Sequence, residues 1–309
     1  MNRFAIAGFT NLGYLVHARA FEPDHADMSG TTVLVTGATG GLGRETARIL
    51  TGRGARVIVV GRATEKLARA RDELGDGVVT LRADLSSMEE IRRLAAHLTG
   101  TEPRLDVLVN NVGVLMPERA VSDEGMELTL ATNLAGPFLL TNLLVPLLLR
   151  SAPARIVNVS SGGMYAERIR PDDMEYERGT YRGASAYART KRGQVVLTEM
   201  WAERLAGSGV VVHAMHPGWV GTAGVEQSLP TFNTLMKPFL RTVAQGADTI
   251  VWLATAPEPA LSTGRFWFDR EVVPTHWSRS TREQPGEREA LWETLSRLTG
   301  WEADRWSGG

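Results

Sequence analysis

The apolar run Val33-Leu34-Val35 ends in Thr36-Gly37-Ala38-Thr39-Gly40-Gly41-Leu42-Gly43 and leads into a helix-forming stretch, Glu45 to Leu50. No other feature constrains the fold as much. A short, unbroken apolar run bounded by turn residues predicts a strand buried on both faces. Glycines directly after it allow a tight turn and a close approach of backbone to ligand. The following helix then aims the positive end of its dipole at that ligand. This is the local structure that a dinucleotide pyrophosphate needs. The alternation then repeats. With Thr32–Thr36 as the first strand, further strands are predicted at Arg56–Val60, Val78–Leu81, Val107–Asn110, Arg155–Ser160, Val210–Ala214 and Arg265–Phe268. Helical patterns lie between them near 42–53, 63–73, 87–98, 123–149, 184–206 and 243–254.

Regular strand–helix alternation predicts an α/β chain: one Rossmann-type, doubly wound parallel sheet of about seven strands, flanked by helices. The 309 residues divide into a leader (1–30), a catalytic domain (31–277) and a helical tail (278–309) in which Leu291, Leu295 and Leu298 share a helix face. A net charge of −1 gives no footprint for nucleic acid. The absence of Cys excludes disulfides and thiolate metal sites, and the six His never fall at metal-ligand spacing, so no metal is expected. Residues 4–16 loosely imitate a signal peptide, but Thr10 and Asn11 interrupt the run and only Arg3 precedes it with charge. A cytoplasmic chain is expected. The leader is too short to span a bilayer as a helix. Ile6, Phe9, Gly13 and Val16 fall at helical spacing. Packing on the domain is the simplest expectation, with a dimer contact or loose membrane attachment left open.

Tyr187 and Lys191, at i and i+4 on a predicted helix, share one face. An ammonium beside a phenol favours the phenolate, so Tyr187 suits proton transfer near neutral pH. Further motifs stand in order at strand ends. Asp84-Leu85 follows the third strand, Asn110-Asn111-Val112-Gly113 ends the fourth, and Asn133 sits in the long helix. Ser160-Ser161 ends the fifth strand, and Pro217-Gly218 with Thr222 follows the sixth. A polar amide among Leu128, Leu130, Leu134 and Phe138 needs buried partners, which favours a site role for Asn133.

This order resembles the short-chain dehydrogenase/reductase family over about residues 30 to 270. Segments 159–164, 191–199, 215–219, 245–249, 262–270 and Thr275-His276 are similar, more narrowly, to its member-12 subgroup. The resemblance implies an NAD(P)-dependent oxidoreductase interconverting a carbonyl and an alcohol on a small molecule. It implies that Gly37, Gly41 and Gly43 shape the pyrophosphate turn, with Thr36, Thr39, Leu42 and Leu85 in the cofactor set. Asp84 would bond the adenine amine, and Asn110 would lie against the adenosine and brace the sheet. Asn133 would hold a water linking Lys191 to solvent, and Ser161 would orient the substrate oxygen. Tyr187 would carry the proton, while Lys191 would bind the nicotinamide ribose. Pro217, Gly218 and Thr222 would hold the carboxamide. Ser160, His213 and His216 are read as structural, and the 123–149 and 184–206 helices are the usual dimer faces of such proteins. A non-catalytic, dinucleotide-binding sensor is the alternative on this fold.

The second strand ends in Val60-Gly61-Arg62-Ala63-Thr64, with no carboxylate to select a ribose hydroxyl. Arg62 suits a 2′-phosphate, so NADP(H) is expected to be preferred, with NAD(H) possible. Gly40 stands where many NADP-preferring relatives carry a second basic residue, and Val112 replaces the usual Ala. The turn also fits the Thr-Gly-x-x-Gly-x-x-Gly pattern of sugar-nucleotide epimerases, against which Asn110-Asn111 and the Ser161 context argue. Twenty-five residues separate Ser161 from Tyr187 and are expected to form a lid or wall. Leu115, Met116, Met164, Tyr165, Trp219, Phe232, Met236 and Phe239 are candidates for an apolar substrate pocket.

Overall fold

The computed structural model describes residues 6–222, 226, 234–302 and 306; Phe232 and the first five residues lie outside these. Strands β1 (Thr32–Thr36), β2 (Arg56–Gly61), β3 (Val78–Arg82), β4 (Val107–Asn110), β5 (Ala154–Val159), β6 (Val210–Met215) and β7 (Arg265–Phe268) are parallel. An eighth, β8 (Glu271–Val272), pairs antiparallel with β7. Its turn, Asp269-Arg270, has positive φ at both residues (49° and 61°). Hairpins usually signal that geometry with Asn-Gly, so Asp-Arg hid it. The sheet order is β3-β2-β1-β4-β5-β6-β7-β8. The order reverses between β1 and β4, the point where ligands of doubly wound sheets bind.

The central strands are apolar throughout because both faces are covered. Val33, Val35, Val57, Val59, Val107 and Val109 pack with α2 (Gly41–Gly52) and the helix Val243–Thr255. Leu34, Ile58, Leu108, Ile156 and Val212 pack on the other face, with α4 (Met88–Thr101) and the long helices that follow. Between α2 and α4, α3 (Thr64–Leu74) lies against β2 and β3. The long helix α5 (Leu128–Arg150) starts later than the predicted 123 because the Glu127 carboxylate accepts the Thr129 and Leu130 N–H groups (2.9 and 2.6 Å) and caps it. Its 23 residues are apolar enough to cross a membrane, yet they are mostly buried in the protein core. A π-turn at Ala131–Ala135 interrupts it around Asn133. The next helix, α6, spans Gly183–Arg204, and Val243–Thr255 is α7.

The leader and the tail both pack on the domain through their described residues. The tail forms α8 (Glu287–Thr299), whose Leu291 and Leu295 are fully buried in the main core. Trp292 packs edge-on against Phe138 of α5 and Trp201 of α6, and the Trp306 indole donates to the Asn142 carbonyl (3.2 Å). The tail thus packs on both α5 and α6. The leader folds as a turn (Ile6–Phe9) and α1 (Asn11–His17), packed on the domain as expected. Leu12, Leu15 and Val16 remain exposed on its outer side.

Candidate active site

The nucleotide edge follows from β1. Gly37 and Gly41 adopt positive φ (64° and 52°), a conformation that costs other residues strain. A Cβ on Gly43 would lie 2.5 Å from Asn111 Nδ2 and 2.6 Å from the Gly37 carbonyl, so α2 can approach the turn only through glycine. Asn111 ties the turn to β4, its amide donating to the Thr36 carbonyl (2.9 Å). Thr36 Oγ1 accepts from the Asn111 and Val112 N–H groups (3.0 and 3.2 Å). Thr36 is fully buried and therefore braces the turn rather than meeting a ligand. Thr39 sits against Gly61, where a Cβ would be 2.6 Å from its methyl, and Leu42 packs beside Gly246.

Arg62 and Asp84 face each other at the ends of β2 and β3, with Nη1 and Oδ2 4.0 Å apart. Arg62 is 71% exposed, open to pair with a further anion. The other oxygen of Asp84 accepts from the Ser86 N–H and hydroxyl (2.9 and 2.7 Å), while Ser87 caps α4. Two expectations are narrowed. Asn110 is fully buried and donates to Thr141 Oγ1 and Asn158 Oδ1 (3.0 and 2.8 Å), so its side chain braces the sheet, as half of its expected role required. The Leu85 side chain lies in the core, which leaves only its backbone for a cofactor. The glycine cradle fits the pyrophosphate of an NAD(P) cofactor, and Arg62 stands exposed at the β2 end beside it.

The candidate reacting groups converge from β5 and α6. Ser161 Oγ and the Tyr187 ring edge both flank Gly163, 3.5 and 3.8 Å from where a Cβ on that glycine would stand, and Ser161 Oγ accepts the Gly163 N–H (3.1 Å). Ser160 points away, its hydroxyl donating to the Lys191 carbonyl (2.8 Å) and fixing strand to helix. Lys191 Nζ lies 5.6 Å from the centre of the Tyr187 ring and donates to the Val159 carbonyl (2.8 Å) and Gln194 Oε1 (3.2 Å). Burial brings this ammonium down to about 7. Burial raises the Tyr187 phenol above its ordinary value, opposed in part by the Ser161 hydroxyl, so the lowering expected from the neighbouring lysine is not seen. The Asn133 amide is saturated: it takes the Val114 N–H (2.8 Å) and donates to the Val114 carbonyl (2.8 Å) and Thr190 Oγ1 (3.1 Å). It holds the Gly113 loop against α6. The Asn133 backbone carbonyl accepts the Gln194 amide (2.7 Å).

Pro217 and Gly218 close the site beyond β6. Gly218 has φ +78°, and a Cβ there would lie 2.4 Å from Arg241 Nε. Thr222 faces Gly41 across the cleft, 3.6 Å from where a Cβ on that glycine would stand. Buried Arg241 is the residue that sequence reasoning missed. It bonds the carbonyls of Gly8, Phe9, Thr10 and Pro217 (2.8 to 3.3 Å) and both oxygens of Asp269 (2.6 and 2.8 Å). Asp269 Oδ2 also lies 2.6 Å from His17 Nδ1. The leader is therefore clamped to the Pro217–Trp219 segment, whose Trp219 N–H donates to the Phe9 carbonyl (2.9 Å). The Phe9 ring packs on Gly162, His216, Trp219 and Trp277.

His213 and His216 are structural as expected. His213 accepts from the Trp267 indole (3.0 Å), and His216 is stacked on Phe268 at 4.1 Å and held neutral by burial. Among the pocket candidates, Met164 is fully buried against Arg192. Tyr165 stacks on Trp277 at 3.9 Å, while Leu115, Met116, Trp219 and Met236 are half-buried and Phe239 exposed. The 162–186 insertion makes a packed wall rather than a lid. Ile169 is fully buried, Arg189 stacks on Tyr176 (4.1 Å), and the Tyr181 hydroxyl donates to Glu127 (2.9 Å). No group of acidic or His side chains that could hold a metal occurs among the described residues.

Sequence comparison agrees with this geometry. The profile of the short chain dehydrogenase family matches residues 31–231. Dehydrogenase/reductase SDR family member 12 from Bos taurus is 37% identical over 94% of this chain and 93% of its own length. Human retinol dehydrogenase 13 is 36% identical over 91% and 88%. Among solved structures, the Pseudomonas aeruginosa RhlG/NADP active-site complex superposes with a TM-score of 0.64 at 29% identity, covering 80% of this chain and 96% of that one. The chain therefore belongs to the short-chain dehydrogenase/reductase family, as an NAD(P)-dependent oxidoreductase.

Proposed function

We propose that the chain is an NADP(H)-preferring reductase or dehydrogenase that interconverts a carbonyl and an alcohol on an apolar small molecule. The observation that carries this reading is the convergence of the Tyr187 and Ser161 hydroxyls at the end of β5, with Lys191 behind the phenol. Two hydroxyls aimed at one oxygen are preorganised for a developing alkoxide. Ser161 orients the carbonyl oxygen, and Tyr187 donates the proton to it in reduction or takes it back in oxidation. Lys191 holds a positive charge beside the phenol and one side of the cleft. The bound nicotinamide supplies or accepts the hydride. Arg62, exposed and facing a single carboxylate at 4.0 Å, pairs with a 2′-phosphate. The relative solved with NADP supports that cofactor, and the retinol dehydrogenase relative together with the aromatic side chains around Ser161 supports an apolar substrate.

The test is Tyr187→Phe, assayed by nicotinamide fluorescence with an aldehyde and ketone panel. Turnover should fall by about 10²- to 10⁴-fold, with cofactor affinity kept. Unchanged turnover in this variant would refute the assignment of the proton to Tyr187.

A further inference from the structure

Gln194 stands one turn beyond Lys191 on α6, and both side chains are 3% exposed. Its amide is used at both ends: Oε1 accepts from Lys191 Nζ (3.2 Å) and Nε2 donates to the Asn133 carbonyl (2.7 Å). That carbonyl belongs to the π-turn of α5, so the amide connects the interrupted helix to the lysine. Lys191 has three N–H groups when charged. Two are taken, by Val159 and Gln194. Nζ also lies 3.3 Å from where a Cβ on Gly113 would stand, so the loop after β4 packs against the ammonium. The elements around Lys191 contribute the Val159 carbonyl, the Gly113 backbone, the Asn133 and Gln194 amides and the Tyr187 phenol. None of the described residues places a charge against it.

We infer that Gln194 is the positioning residue of the site: it holds the Lys191 ammonium beside the Tyr187 ring and ties it to the Asn133 carbonyl of the π-turn. An amide orients a donor and an acceptor but does not ionise, so Gln194 fixes Lys191 without itself exchanging a proton. This inference rests on the reading of Tyr187 and Lys191 given above.

The chain contains three lysines, Lys66, Lys191 and Lys237, which makes a direct readout practical. With lysine labelled by ¹³C at Cε, the Lys191 signal is assigned by its loss in Lys191→Arg and followed through a pH titration of the purified protein. Gln194→Met, close in shape but without the acceptor, should lower the Lys191 midpoint by about one to two pH units, the size of one lost charge-assisted hydrogen bond. Gln194→Glu should raise it by about one to three units, because a carboxylate then faces the ammonium. The two variants move the signal in opposite directions, and either suffices if the other fails to fold. Midpoints within a few tenths of a unit of the parent in the folded variants would overturn the inference. The pH midpoint of turnover, measured in parallel, separates the two claims. If it follows the Lys191 signal, both stand; if the signal moves while turnover does not, Gln194 holds the lysine but Lys191 has no part in the reaction.

Discussion

Replacing Phe9 by Ala tests whether the leader is a working part of the site. Phe9 is 5% exposed, with its ring 4.6 Å from His216, 5.3 Å from Phe268 and 5.8 Å from Trp219 in edge-on contacts, and stacked on Trp277 at 5.7 Å. Truncating a buried Phe costs about 3–5 kcal/mol. In the sheet that cost would appear as global unfolding. Phe9 instead belongs to a peripheral segment whose other anchors are Arg241 and the His17–Asp269 contact. The cheaper response is for residues 7–20 to open while the sheet stays folded. The reporter is the Trp219 N–H, which donates to the Phe9 carbonyl. Its hydrogen-exchange protection should fall by about 10²- to 10³-fold, the low end of the truncation cost at 1.4 kcal/mol per decade. The β1 and β4 amides should keep theirs. With Trp219 loosened, KM for apolar substrates should rise more than kcat falls. Trp219 protection within about tenfold of the parent, or an equal loss across the sheet, would refute the clamp.

Three further outcomes follow from the geometry. Arg62→Ala should weaken NADPH binding about tenfold and leave NADH unchanged, since an exposed guanidinium on a phosphate is partly screened; equal loss for both cofactors, by fluorescence titration, would place Arg62 elsewhere. Lys191 titrates at about 7, below its value in the unfolded chain. The folded state therefore binds fewer protons between pH 7 and roughly 10, and stability should rise with pH across that window by an amount on the order of a few kcal/mol. Urea midpoints should show the rise in the parent and its loss in Lys191→Met. Asp269→Asn should destabilise by about 3–5 kcal/mol by leaving buried Arg241 without its charge partner, whereas Arg241→Met with Asp269→Leu should recover much of that in thermal melts.

The sheet was legible because each central strand is buried on both faces, so its residues form unbroken apolar runs that end within a residue or two of the observed bounds. The eighth strand was not legible, for two reasons. Two residues are too few to show a period of two, and the turn before it is Asp269-Arg270 rather than a glycine pair. Asp269 holds its positive φ within a network of Arg241 and His17 that spans more than 200 positions in sequence. Local pattern carries no trace of such a contact. The delayed start of α5 had the same kind of cause: Glu127 caps the helix with its side chain, and a Glu at that position does not announce a cap.

The placing of Ser161, Tyr187 and Lys191 near one another was legible and their surroundings were not, and the difference has a physical basis. Ser161, Tyr187 and Lys191 stand at a strand end and on one helix face, so order and spacing alone bring them together. Asn133 was found as a polar residue among apolar ones, Asn110 and Thr36 through the family motifs, but which atoms they bond depends on packing between elements. The bonds of Asn110 to Asn158 and of the Asn133 carbonyl to the Gln194 amide could not be read from local pattern. Arg241 belongs to the same class. As a single Arg after an apolar stretch it reads as a surface residue, yet it is almost wholly buried because four carbonyls and one carboxylate satisfy its donors. A buried guanidinium is costly unless all its partners are in place. Arg241 can therefore be buried only if the leader, the nicotinamide segment and the β7–β8 turn arrive together. That requirement couples the shape of the substrate wall to residues 7–20, which lie outside the part of the chain matched by the family profile.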